Sequence, residues 1–134
     1  VTLRVYTARI SYRGPDALVV SRQGSSPEGL PFAPSGRILW PVLAARRAGG
    51  AAAVEPLWEG YVADYTAEMR RSYREQRAAW EAVLARESAT LCCFCSDPAR
   101  CHRTILSAIF GKLGAEVCGE RGSGLLDLGG EGER

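Results

Sequence analysis

Apolar positions along this chain alternate between short runs and helical stripes. Residues 3–8 (LRVYTA) are β-prone and only loosely alternating, which predicts a mostly buried strand. Residues 16–21 (DALVVS) form a short apolar run after the turn signal Gly14-Pro15 and read as a second strand. Glycine, serine and proline then punctuate a long loop from Arg22 to Ser35, a length that compact domains seldom carry without a use. Ser35 is placed to cap a short helix to about Ala48 that turns Ile38, Leu39, Val42 and Leu43 inward, with Pro41 kinking or delaying it. Residues 48–56 (AGGAAAVEP) read as a connector. Pro56 suits a first helical position, and the pattern runs from it to about Arg86 with a break near Gln76. Leu57, Tyr61, Tyr65 and Met69 recur at steps of four, followed by Tyr73, Trp80, Val83 and Leu84.

Residues 89–94 are apolar and compact, a third strand buried on both faces. After the loop SDPAR, a helix from Cys101 carries Ile105, Leu106, Ile109, Phe110 and Leu113 on one stripe and stops at Gly114. Residues 115–118 make a fourth short strand. This order predicts one α/β domain over residues 1–121, with a mostly parallel four-stranded sheet flanked by helices, Rossmann-like or flavodoxin-like and three-layered. The acidic, glycine-rich residues 122–134 are expected to be a flexible tail on which Leu125, Leu126 and Leu128 can dock. No internal repeat is present. Ligands of such sheets bind outside the carboxyl ends of the strands, which places Tyr6 to Arg9, Ser21 with Arg22, and the Cys93–Arg103 loop on one rim.

Composition changes this picture little. An apolar fraction of 46% and a charged fraction of 24% fit a soluble globular chain, and no apolar run is long enough to span a membrane. The opening VTLRVYTARISY lacks the plan of a signal peptide, so the cytoplasm is the expected compartment. Charge is uneven: residues 1–114 carry 15 basic and 10 acidic side chains, and residues 115–134 carry 2 and 5. Lys112 is the only lysine. The arginine bias is what a GC-rich genome produces, and arginine also forks well onto phosphate or carboxylate.

Four of the five cysteines fall within ten residues: Cys92, Cys93, Cys95 and Cys101, with Cys118 apart. An odd number in one cluster is not a disulfide framework; it points to metal, a reactive thiol or a packed strand end. Cys93, Cys95, Cys101 and His102 offer four donors at the spacing C-x-C-x5-C-H, acceptable to zinc or an iron–sulfur cluster. Against metal, the pair C-x2-C is missing, and adjacent Cys101 and His102 can rarely both face one ion. The other reading is anion recognition with thiol chemistry. At a helix start, Cys101 sees the positive helix end, Arg100, Arg103 and His102, which favour a thiolate. The free helix amides and Arg103 also suit phosphate. His102, the only histidine, is either an acid/base group or a packed structural residue. Cys92 and Cys93 are expected as small core residues. Arg70, Arg74 and Arg77 form either a basic stripe for nucleic acid or a solvated face tied by Arg71–Glu75 and Arg77–Glu81 pairs. Tyr61, Tyr65, Tyr73 and Trp80 are expected in the core, with base stacking the alternative.

The segment TLCCFCSDPARCHRTILSAIFGKLGAEVCGER resembles the carboxyl-terminal signature of the domain-of-unknown-function 488 family, in the phage and prophage variant with cysteine at position 95. Many members have glutamate there, so an acid role is not carried over to Cys95. VYTARIS, VVSRQGSSPEG with FAPS, and the helical YVADYTAEMRRSYREQRAAWEAVL are similar to the family's other segments, with Arg22 at a usually basic position. The resemblance implies an α/β domain with a shared polar site and no named activity. From the residues, the leading expectation is an enzyme or binding domain for a nucleotide or nucleic acid. Arg22 and Arg103 with the Cys101 helix start would hold phosphate, while His102 or Cys101 does the chemistry and Tyr6, Tyr12 or Tyr61 stacks. The alternatives are a structural metal module built on Cys93, Cys95, Cys101 and His102, and a nucleic-acid-binding accessory factor.

Overall fold

The computed structural model describes residues 1–22, 24 and 26–122; the remainder of the tail lies outside the described residues. Strands β1 (Arg4–Arg9), β2 (Ala17–Val19), β3 (Ser88–Cys93) and β4 (Glu116–Glu120) form one all-parallel sheet in the order β2-β3-β1-β4. Val5 lies opposite Ala89, Thr7 opposite Leu91, and Leu18 opposite Leu91. The mixed α/β domain anticipated from the alternation of apolar runs and stripes is thus present. The fourth strand starts one residue later than expected and runs two residues further.

The strand order determines where the connections lie. The chain passes from β2 to β3 and from β3 to β4 in the same direction across the sheet, and from β1 to β2 in the reverse direction. Right-handed crossovers therefore put the helical connections on one face and residues 10–16 on the other. Side-chain alternation agrees. Val5, Leu18, Ala89 and Leu91 join one buried cluster with Ile38, Val42, Tyr65, Met69, Trp80, Leu106 and Phe110 from the helices. On the other face, the Asp16 carboxylate accepts from Tyr12, Ser88 and Thr90 hydroxyls at 2.7–2.9 Å. Arg121 stacks 3.6 Å above Tyr6 and donates to Thr90 there.

Helix α1 (Gly36–Glu75) consists of two helical segments that meet at a kink at Gly50. The first ends near Ala48 as expected, whereas most of the expected connector at 48–56 is helical. The alanine-rich stretch stays helical because alanine has the highest helix propensity. The break is confined to Gly50 at φ 70°, ψ −156°, a conformation only glycine takes readily. The second half therefore begins before Pro56. Gln76 separates α1 from α2 (Arg77–Leu84), as the pattern indicates. Ser35 sits at the cap position, yet its hydroxyl makes no capping bond. Tyr61, Tyr65 and Met69 are buried as expected, whereas Leu57, one step earlier in the same series, is exposed.

The long loop is structured in part: Leu30–Phe32 form a 3-10 turn that inserts Phe32 into the core. Tyr65 and Ser72 hydroxyls donate to the Phe32 and Pro31 carbonyls, and Phe32, Trp80 and Phe110 pack edge-on or tilted at 4.9–5.7 Å. Helix α3 (His102–Lys112) ends where Gly114 adopts φ 107°. Among the described residues, no helix is long and apolar enough to cross a membrane.

Candidate functional site

The connection leaving β1 and the connection leaving β3 run to opposite sides of the sheet. A parallel sheet opens a crevice at the carboxyl ends of such a strand pair. Here those ends are Arg9 and Cys93, paired in register. Beyond them the chain places three sulfurs together. Cys93 points toward the helices from the last position of β3; Phe94 turns out to solvent, and Cys95 follows, half-buried. Asp97 caps the 3-10 turn Pro98–Arg100, and Cys101 in extended conformation precedes α3 with its side chain turned back. The sulfurs of Cys93, Cys95 and Cys101 lie within 4.8 Å of one another, and Cys93 Sγ is 2.6 Å from Cys101 Sγ.

Arg103 closes the cluster from below. It is wholly buried and donates from one nitrogen to Cys93 Sγ (3.1 Å), Cys101 Sγ (3.4 Å) and the Cys95 carbonyl (2.7 Å). Its other two nitrogens fork onto Glu120 at 3.1 and 2.9 Å, and Glu120 also accepts from Thr7. The guanidinium charge is therefore answered by Glu120. The cation left facing the sulfurs is Arg46 of α1, which donates to Cys95 Sγ at 3.7 Å and to the Arg100 carbonyl at 3.1 Å. Arg100 is held away by a fork onto Glu55.

The three sulfurs are driven apart in pKa. Hydrogen bonds from the Cys101 and Cys93 thiols, helped by Arg46, lower the Cys95 pKa against the cost of burial. Burial and the donated bonds hold Cys101 well above its ordinary range, and Cys93 is raised as well. Cys92, on the opposite side of β3, is raised by burial to about 11 and donates to the Thr90 carbonyl. It behaves as the core residue expected; Cys93 is buried too, yet belongs to the sulfur cluster.

His102 is buried, with Nε2 2.7 Å from the Val20 carbonyl, Nδ1 3.9 Å from Cys101 Sγ and its ring edge-on to Tyr65. Since a carbonyl only accepts, Nε2 carries the proton. Burial lowers the imidazole pKa, so the folded ring stays neutral where an unfolded histidine, at about 6.5, already takes up a proton. This contribution to stability is complete above that value and lost as pH falls below it. Urea unfolding at pH 5.5 and 7.5 should show a drop toward acid that shrinks in His102→Gln; an unchanged drop would contradict this.

Among the other expected residues, Arg22 and Tyr6 stand apart from the cluster. Arg22 donates to the Pro34 carbonyl and lines a surface cleft with Glu68 and Ser72. Tyr6 lies on the opposite face of the sheet beneath Arg121. Tyr61 is buried beside the sulfurs, stacked on Trp58 at 5.0 Å, and burial with the neighbouring thiolate charge raises its phenol far up. Tyr12 does reach the rim. With Arg9, Ser11, Pro98, Glu120 and Arg121 it lines a cleft of about 360 Å³ at the ends of β1 and β4. Arg70 and Arg74 flank an apolar groove with Lys112, while Arg77 stacks on Tyr73 instead of pairing with Glu81. Arg46 and Glu120 were not legible in the sequence: one comes from mid-helix and the other from a strand end, and neither adjoins a motif.

Two sulfurs at about 2.3 Å on a tetrahedral zinc ion stand roughly 3.8 Å apart, so Cys93 and Cys101 would have to separate by about 1 Å. The group of mutually close donors comprises the three sulfurs, without His102.

No curated protein and no solved structure matches the chain. Residues 31–114, from the 3-10 turn through the sulfur cluster to the end of α3, match the family model DUF488-N3a, described as the active DUF488-N3 subclade. That match covers more than half of the chain, which therefore belongs to the DUF488-N3a family.

Proposed function

We propose that this chain is a thiol-dependent enzyme acting on a phosphate-bearing ligand, a nucleotide or nucleic acid, with Cys95 as its nucleophile. The observation that carries the reading is the arrangement of Cys95 itself. It is the half-exposed sulfur of the three, it lies within 4.8 Å of the Cys93 and Cys101 sulfurs, and it accepts from the Arg46 guanidinium. Thiolates held by such donors are the reactive ones, whereas buried cysteines without them are inert. This moves the nucleophile from Cys101, whose proton is needed as a donor, to Cys95. His102 serves as a positioning residue, since its reach toward the cluster is limited to Cys101. Arg103, fully engaged, fixes the loop instead of binding ligand.

The phosphate falls to the neighbouring cleft. Arg9 is exposed at its edge, Tyr12 offers a ring, and Pro98 brings the loop that carries Cys95 to its wall. The family description as active agrees with an enzyme. In thermal unfolding with ATP, AMP and a short single-stranded oligonucleotide, at least one should stabilise the protein by several degrees when near-saturating. The shift should vanish in Arg9→Ala, which removes no internal contact. No shift with any of the three would overturn the ligand class. One zinc per chain on elemental analysis would replace the thiol reading with a metal module.

A further inference from the structure

Three thiols are more than a nucleophile needs, and their accessibility is unequal. Cys95 is half-buried, while Cys93 and Cys101 are 1% and 2% exposed and lie 2.6 Å apart. We infer that the three cysteines form a relay for reversible oxidation, in which peroxide attacks at Cys95 and the oxidation is passed inward to a Cys93–Cys101 disulfide. The inference rests on Cys95 being the reactive thiolate of the cluster and adds a modification to that site.

The chemistry closes with hydrogen peroxide as the oxidant. The Cys95 sulfur attacks one peroxide oxygen and the O–O bond breaks. Cys95 becomes a sulfenic acid, and the departing hydroxide takes a proton to become water. The Cys101 thiol then attacks the Cys95 sulfur; the S–O bond breaks, and its hydroxyl leaves with the thiol proton as a second water. This joins Cys95 to Cys101. Cys93, already against Cys101, attacks the Cys101 sulfur and gives its proton to solvent. Cys95 departs as the thiolate, because the best-stabilised thiolate is the best leaving group. Two electrons have moved from the Cys93–Cys101 pair to the peroxide. Arg103, bonded to both of these sulfurs, holds them side by side throughout.

In the product Cys95 is free again, but the two thiols grouped with it are joined and no longer carry protons. Oxidation thereby switches down the nucleophile while protecting it from further oxidation. Cys118 is exposed, bonds to the Glu116 carbonyl and stands outside the group of three sulfurs.

The test uses the unmodified protein, treated with stoichiometric hydrogen peroxide, blocked with iodoacetamide and mapped by tandem mass spectrometry without reduction. The expected product carries a Cys93–Cys101 disulfide with Cys95 alkylated, and dithiothreitol returns it to the starting state. Alkylation of Cys95 at pH 6 should be about tenfold slower after oxidation than before. A Cys95 sulfinic acid without an internal disulfide, or a product linked only through Cys118, would overturn the relay. Slow Cys95 alkylation in the untreated, reduced protein would instead sink the thiolate reading on which the relay rests.

Discussion

Arg103→Ala is expected to cost about 3–5 kcal/mol of folding stability, through the lost packing of a wholly buried side chain and its charge-assisted hydrogen bonds, one partner of which, Glu120, is itself in reach of water. For a domain of this size that is on the order of 10–20 °C in melting temperature. Arg103 has no exposed surface, and each of its three nitrogens is engaged: two on Glu120, one on two sulfurs and the Cys95 carbonyl. It therefore joins α3, β4 and the sulfur loop at one point, and alanine leaves Glu120 and that carbonyl without their donor. Arg103→Lys should recover little, since one ammonium cannot reproduce the planar fork. A loss below about 1 kcal/mol in chemical denaturation, typical of an exposed pair, would show that this contact does not organise the site.

The second large effect concerns reactivity. Cys101→Ala removes a thiol within 4.8 Å of the Cys95 sulfur that lowers its pKa, while changing a buried side chain very little in size. The Cys95 pKa should rise, and its alkylation at pH 6 should slow by about tenfold or more, even though a more basic thiolate is intrinsically a better nucleophile. Cys92→Ala makes the contrast. Cys92 donates to the Thr90 carbonyl on the other side of β3, so its removal should leave Cys95 unchanged. Equal rates in both variants and the parent would remove the donated bonds from the account.

Much of the scaffold could be read from local pattern because its causes are local. The apolar run ending at Cys93, the stripe from Ile105 to Leu113 and the stop at Gly114 each report their own element. The helix across residues 48–56 was not legible in that way. Alanine propensity and a single permissive glycine outweighed the two prolines and the look of a connector. Leu57 follows the same spacing as Tyr61 and yet faces solvent, since periodicity locates a stripe but not where its contact with the sheet begins.

For the site, sequence located the cysteines and the Cys-His-Arg helix start but not the partners that the fold brings to them. The difference comes from long-range contacts. Glu120 neutralises Arg103 from another strand, Val20 occupies His102, and Arg46 reaches Cys95 from 49 residues away. The convergence of Tyr6 and Arg22 on the rim also failed for a physical reason. Tyr6 alternates onto the face opposite the helices, and Arg22 is drawn to the Pro34 carbonyl.

The central claim is that the cluster holds a single thiolate and that it resides on Cys95. The most direct measurement is the iodoacetamide alkylation rate of each cysteine between pH 5 and 8, read by mass spectrometry on the reduced, metal-free protein. Cys95 should react at a nearly constant rate across the range, already ionised at its lower end. A free cysteine peptide in the same buffers should rise by about tenfold per pH unit, as an ordinary thiol does below its pKa. A Cys95 rate that climbs in parallel with that peptide would contradict the proposal.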